Sequence, residues 1–287
     1  MSPPTSPHCL SRRRWLQAAL CLPLLTLVGG LHAQPNATLR GDGRLALVIG
    51  NGSYAQAPLQ NPPSDARAVG AALRELGFEI IQLENATMAQ MLDAMREFLQ
   101  RARASQVRVV YFAGHGLQLK GRNYLVPVDA LIQGEDDVPA RTADATEFVD
   151  KLGQFRSGVN VVILDACRNN RFGAGTRMRW LGAPRSVMPG LAQIAAPRGT
   201  LIAFSAAPGA VAFDGADGHS AYARHLVANM RTPGLPVEQL FKRVRVAVSE
   251  DTRQQQIPWE SSSLIGDFCF KASSAGGCLG EPAVIPR

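Results

Sequence analysis

Two apolar runs, each delivering a reactive side chain at its carboxyl end, constrain this 287-residue chain more than any other feature. Val107-Arg108-Val109-Val110-Tyr111-Phe112 leads into Ala113-Gly114-His115-Gly116, and Val159-Asn160-Val161-Val162-Ile163-Leu164 leads into Asp165-Ala166-Cys167-Arg168. Runs rich in Val, Ile and Leu without polar alternation read as strands buried on both faces, the pattern of a parallel sheet. In open α/β sheets ligands bind in the crevice beyond the carboxyl ends of the strands. An imidazole and a thiol that reach this edge from two strands make a candidate Cys-His nucleophilic pair.

The flanking sequence supplies the other layers. Residues 44–49 predict a first strand, ending in Gly50-Asn51-Gly52-Ser53. Residues 65–76 predict a helix, with Ala66, Val69, Ala72, Leu73 and Leu76 at three- and four-residue steps and Gly77 as the stop. A second strand follows over 78–83, then a helix capped by Thr87 and running to about 104. Residues 123–128 read as a short strand and 142–155 as a helix. The segment 171–198 holds Arg171, Arg177, Arg179, Arg185 and Arg198 among Gly and Pro and has no periodicity, so it reads as a long loop. A buried strand over 200–205, helices over 220–230 and 236–249, and a last strand over 264–270 complete the order. Strands alternating with helices indicate an α/β sandwich with a mostly parallel sheet, here one domain over 44–270 between a leader at 34–43 and a tail at 271–287.

Residues 1–33 stand apart. Arg12, Arg13 and Arg14 precede an apolar stretch over 15–28, and Leu31-His32-Ala33 closes it with a small residue, the layout of a cleavable signal peptide. Ser11-Arg12-Arg13-Arg14-Trp15-Leu16 resembles the twin-arginine export signal, with Sec export and an uncleaved anchor helix as alternatives. The expected location is therefore periplasmic or otherwise exported, with no membrane association after cleavage. Loss of this segment removes three Arg and no acid, so the net charge falls from +7 to +4. A charge that small and dispersed, with no stripe of basic and aromatic residues, excludes nucleic acid as a partner. Of five cysteines, Cys167, Cys269 and Cys278 survive cleavage, and an odd number leaves one thiol unpaired. Cys269 and Cys278 either pair in an oxidising compartment, which leaves Cys167 free, or remain a buried thiol and a loose one.

A thiol becomes a useful nucleophile when a nearby imidazole takes its proton or stabilises its thiolate. Gly114 and Gly116 flank His115 and allow close approach of a ligand to the backbone. The N–H groups of Gly116 and Cys167 lie beside base and nucleophile, which makes them candidates for an oxyanion hole.

Tyr111-Phe112-Ala113-Gly114-His115-Gly116 and Ile163-Leu164-Asp165-Ala166-Cys167-Arg168 resemble the two active-site motifs of the caspase–metacaspase clan of cysteine peptidases. In caspases a Gln-Ala-Cys-x-Gly motif follows its histidine by roughly 50 residues; here the separation from 115 to 167 is 52. The similarity spans about 44–270, includes Leu47-Val48-Ile49-Gly50-Asn51, Asn61-Pro62-Pro63-Ser64-Asp65-Ala66-Arg67, Asn123-Tyr124-Leu125-Val126-Pro127-Val128-Asp129 and Pro258-Trp259-Glu260-Ser261-Ser262, and is closest to the bacterial metacaspase-like members. It implies a caspase-like three-layer α/β/α sandwich and a cysteine endopeptidase in which Cys167 attacks and His115 moves protons, with no cofactor.

Departures from the caspase pattern bear on specificity. Asp165 stands where caspases have Gln, and Phe213-Asp214 stands near the position of their substrate-binding Arg. The resemblance implies an acidic pocket formed by Asp65 and Asp165, which suits a peptide or protein substrate with Arg or Lys before the scissile bond. Asp65 equally fits the N-cap of the helix that follows it. The Arg-rich 171–198 segment lies where caspase relatives carry a cleaved linker, so it is either a self-processing site or a solvated basic loop. Glu135-Asp136-Asp137 lacks the alternate spacing of a calcium loop, and no metal is assigned. Two rivals remain: a catalytically silent caspase-fold binding or regulatory module, and an α/β esterase, for which the chain has no Gly-x-Ser-x-Gly elbow.

Overall fold

Strands that are apolar on both faces need a cover on each, and the chain supplies it. The computed structural model describes residues 43–155, 157–167, 188–189, 191–207, 212, 215, 218–273 and 278. Residues 1–42, which hold the expected signal segment and most of the leader, residues 168–187, which include the start of the Arg-rich loop, and Phe213-Asp214 lie outside the described residues. Six strands form the main sheet in the order β2 (Glu79–Glu84), β1 (Arg44–Gly50), β3 (Val107–Leu119), β6 (Val159–Cys167), β8 (Thr200–Phe204) and β9 (Trp259–Ser262). All neighbours are parallel except β9, which runs antiparallel to β8.

Side chains alternate between two cores, as the two-residue period of a strand requires. Leu47, Ile49, Val110, Phe112, Val162 and Leu164 pack against Met91 and Phe98 of α2 (Met88–Ala102) and Phe148 and Leu152 of α4 (Ala145–Leu152). On the other face, Ala46, Val48, Val109, Tyr111, Val161 and Ile163 pack against α1 (Pro62–Glu75), α5 (Ala221–Met230) and α6 (Val237–Asp251). This is the α/β sandwich expected from the alternation of elements, in the three-layer α/β/α form that the resemblance implied. Beyond the sheet edge β3 continues and pairs antiparallel with β4 (Arg122–Leu125) and β7 (Met188–Pro189), while β4 also pairs with β5 (Ala143–Asp144). A third core of Tyr54, Leu117, Tyr124, Val126 and Ile132 lies at this extension.

Several sequence expectations need correction. The first helix starts at Pro62 rather than at 65, with Asn61 as its N-cap; proline fits a first helical turn because no donor is needed there. Residues 142–155 are not one helix: α3 (Asp137–Arg141) comes first, Thr142 is extended, and Asp144 caps α4 by accepting from the Glu147 amide. The last strand is β9, not 264–270. β9 is a mostly polar edge strand without an apolar signal, whereas Phe268 and Phe270 owe their apolarity to packing in the α1/α6 core. Residues 191–198 of the loop are held to the body: Leu191 and Ile194 are core residues, and the Asn123 side chain bonds both the amide and the carbonyl of Ala192. Cys269 and Cys278 form a disulfide, which resolves the two readings of that pair. Thr87 caps α2 as expected, with a reciprocal capping box to Gln90.

Arg108 interrupts the apolar run of β3 and is only 2% exposed. Its guanidinium donates to the carbonyls of Ala102 at 2.8 Å and Ser157 at 2.9 Å and lies 4.3 Å from the Phe155 ring centre. Burial lowers its pKa to about 10. Arg108→Met would leave both carbonyls without this donor, with an expected loss of about 2–4 kcal/mol in urea denaturation. Unchanged stability would mean the guanidinium is not a structural tie between α2 and the start of β6.

Candidate active site

The pairing of β3 with β6 runs in register from Val107↔Val159 to His115↔Cys167. The backbone positions of imidazole and thiol are therefore direct partners across two parallel strands. Gly116 follows in β3, where a Cβ would lie 2.7 Å from Leu191 Cδ2 and 3.0 Å from Ala166 Cβ, so glycine lets β3 and its cover close up.

His115 is 6% exposed and held from three directions. Its Nε2 lies 2.8 Å from the Ala57 carbonyl, and because a carbonyl only accepts, Nε2 carries the proton and Nδ1 is the basic nitrogen of the neutral ring. The Tyr54 hydroxyl accepts from the His115 amide at 3.0 Å and donates to the Val126 carbonyl at 3.1 Å, and the Tyr54 ring lies 4.4 Å from the imidazole. Tyr54 can approach because residue 114 is glycine: φ is +151° there, and a Cβ would sit 2.6 Å from the Tyr54 hydroxyl. The loop carrying Tyr54 and Ala57 is tied down by Asn85 Oδ1, which accepts from the Gly52 and Ser53 amides at 2.9 Å each. Ala57 itself has φ +52°, a conformation side chains other than glycine seldom adopt, and it presents its carbonyl to the histidine. Burial pushes the His115 pKa down to about 4, against the opposing effect of the Ala57 carbonyl. The ring is neutral at neutral pH.

The two acids come together as well. Asp165 is the partner of Ala113 in the β3–β6 register, two residues before Cys167. Its Oδ2 accepts from the Ser220 hydroxyl at 2.9 Å and the Tyr111 hydroxyl at 3.3 Å. Burial first, then the charges of Asp165 and Asp65, raise Tyr111 well above its usual pKa, so it remains a donor. Asp65 is not the N-cap of α1; it lies in the first turn, and its carboxylate points out of the helix to accept the Ser220 amide at 3.2 Å on both oxygens and His219 Nδ1 at 2.8 Å on Oδ1. Ser220 thus joins both acids while its hydroxyl also accepts from the Ala223 amide as the N-cap of α5. Both buried carboxylates are thus met by protein donors.

The sequence alone did not mark Tyr54, Ala57, His219 or Ser220 as parts of the site. Ser220 carried a signal, the start of a helix, but its contacts with Asp65 and Asp165 cross 155 and 55 residues. Ala57 acts through its backbone and carried none. Glu135 pairs with Lys120 at 3.3 Å, and Asp137 accepts the Gln133 and Gly134 amides at 2.8 and 2.9 Å, so the acidic run stabilises the turn into α3.

The caspase-domain model of the C14 peptidases matches residues 43–269, most of the chain. This protein belongs to the caspase-domain family. The chain is similar to the mucosa-associated lymphoid tissue lymphoma translocation protein 1 homolog of Mus musculus, 34% identical over 127 residues, and to the Homo sapiens mucosa-associated lymphoid tissue lymphoma translocation protein 1, 33% identical over 127 residues. Each match covers 44% of this chain and 15% of the relative, so the chain spans a small part of the length of these curated relatives. Caspase-1 from Spodoptera frugiperda, a solved structure, shares the fold with a TM-score of 0.57 at 16% identity, over 82% of this chain and 92% of that one.

The buried neutral imidazole has a consequence for stability. Between its ordinary pKa of 6.5 and about 4, the unfolded chain binds a proton that native His115 does not. Its contribution, about 3 kcal/mol, is therefore complete above pH 6.5 and is lost as the pH falls through that window. Urea denaturation of the wild type and His115→Gln across pH 4–7 should show the shallower slope in the variant; parallel curves would contradict a depressed histidine.

Proposed function

We propose that this caspase domain is an exported cysteine endopeptidase of the metacaspase type that cleaves peptide bonds after Arg or Lys. The observation that carries this reading is the buried Asp65–Ser220–Asp165 arrangement, in which Ser220 joins Asp65 of α1 to Asp165 of β6, the strand that ends in Cys167. A guanidinium or ammonium entering beside two carboxylates forms charge-assisted hydrogen bonds, whereas an acidic side chain would meet like charge.

In the proposed reaction, His115 Nδ1 takes the proton of the Cys167 thiol, and the sulfur attacks the carbonyl carbon before the scissile bond. The amides of Gly116 and Cys167 hold the resulting oxyanion. The carbon–nitrogen bond breaks as the imidazolium gives its proton to the departing amine. Water, deprotonated by the same nitrogen, then releases the acid and restores the thiol. Ala57 and Tyr54 are positioning residues: the carbonyl at Nε2 fixes the tautomer, and the tyrosine fixes the backbone at His115.

Export is supported by the basic and apolar layout of residues 1–33 and by the Cys269–Cys278 disulfide, a bond that persists in oxidising compartments. It leaves Cys167 as the one thiol of the mature chain. Self-processing, where it occurs, falls at Arg171, Arg177, Arg179 or Arg185, because the segment from Leu191 onward is packed into the core that supports β8.

The test is hydrolysis of matched fluorogenic peptides ending in Arg, Lys or Asp by the mature protein. Cleavage after Arg and Lys is expected, with none in Cys167→Ala and a loss of about 10²-fold in kcat/KM in Asp165→Asn. Cleavage after Asp would overturn the acidic pocket, and no cleavage of any peptide would favour a catalytically silent binding module.

A further inference from the structure

The Asp65 carboxylate already has an occupant. His219 Nδ1 lies 2.8 Å from Asp65 Oδ1, with side chains 42% and 2% exposed respectively. The imidazole therefore forms the solvent side of this contact and the carboxylate the buried side. The Ser220 amide, also a donor to Asp65, is fixed by the start of α5 and cannot be withdrawn without unwinding it. The segment carrying His219 is built differently. Gly215 and Gly218 adopt φ values of +78° and +79°, and a Cβ at Gly218 would meet nothing within 4 Å. Two of the segment's carbonyls are held at the start of α1: Asn61 Nδ2 donates to that of Gly215 at 3.2 Å and Ser64 Oγ to that of Gly218 at 2.5 Å. These bonds hold the backbone at Gly215 and Gly218, and the half-exposed His219 side chain can leave Asp65 by rotation about its own bonds.

We infer that His219 is a specificity-determining plug of the basic-residue pocket: its Nδ1–H stands in for the substrate's cationic head group at Asp65 Oδ1 and is displaced when that group binds. This rests on the acidic-pocket reading above. A buried carboxylate is stabilised by each donor it meets, and in the empty enzyme the histidine adds one to that of the Ser220 amide. A guanidinium replaces that donor with a charged one and adds a second hydrogen bond from its planar fork, so it can win the exchange. A neutral or acidic side chain offers no such replacement and leaves the plug in place. Selectivity then has two parts, attraction by the acids and rejection by a donor that only a cation outbids. His219 acts on occupancy of the pocket and not on the reacting atoms.

Agmatine, a free guanidinium ligand, is the probe, used with the mature Cys167→Ala protein so that no turnover intervenes. Titration calorimetry should show agmatine binding about tenfold more tightly when His219→Ala is added, because no donor has to be displaced. Free imidazole added to that double variant should restore the weaker affinity, a rescue that a merely structural histidine would not give. In the parent, agmatine should shift the His219 side-chain nitrogen resonances. Equal affinity with and without His219, or tighter binding insensitive to imidazole, would overturn the plug while leaving the acidic pocket standing. Absence of agmatine binding in both proteins would overturn the pocket and the plug together.

Discussion

The placing of His115, Cys167 and Asp165 depends on one constraint, the in-register parallel pairing of β3 with β6. Parallel ladders translate a sequence offset into a fixed spatial offset. Once Val107 faces Val159, the partners that follow are determined: Ala113 faces Asp165 and His115 faces Cys167. Slippage by one residue would turn each strand's side chains to the opposite core. The two cores prevent this, because Val110 and Phe112 fit one layer while Val109 and Tyr111 fit the other. The hydrophobic effect that stabilises the sandwich therefore also sets the chemical geometry at its edge.

Burial acts in opposite directions on the groups gathered there. It drives His115 toward the neutral form and keeps Tyr111 protonated, so that one is suited to take a proton and the other to donate a hydrogen bond. The acids are compensated by donors drawn from separate elements: a strand tyrosine, a helix N-cap and a loop histidine. Ser220 is economical in this respect, capping α5 and bridging both acids. Replacing it would affect helix and pocket at once.

What could be read from sequence followed from periodicity and local chemistry. The central strands announced themselves because both faces are apolar, and the cap at Thr87 because its donors and acceptors lie within three residues. Asp165 and Cys167 were legible together because the strand period places them on one side. The rest depends on contacts that no local pattern encodes. β9 is a partly exposed edge strand, Trp259-Glu260-Ser261-Ser262, and nothing in its composition separates it from a loop. Asp65 looked like a cap because it begins an apolar-periodic stretch, yet two prolines extend the helix before it and free its carboxylate for tertiary contacts. Ala57 contributes a carbonyl, which every residue has; only the fold reveals which one faces His115.

The central claim is that Cys167 is a nucleophile served by a pocket that prefers a basic residue. The most direct measurement is covalent capture: the mature protein is incubated with matched peptidyl acyloxymethyl ketones ending in Arg or Asp, followed by intact mass and peptide mapping. The account predicts one adduct per chain from the Arg reagent, located at Cys167, and none from the Asp reagent. Labelling by the Asp reagent in preference, or an Arg adduct on any residue other than Cys167, would contradict it.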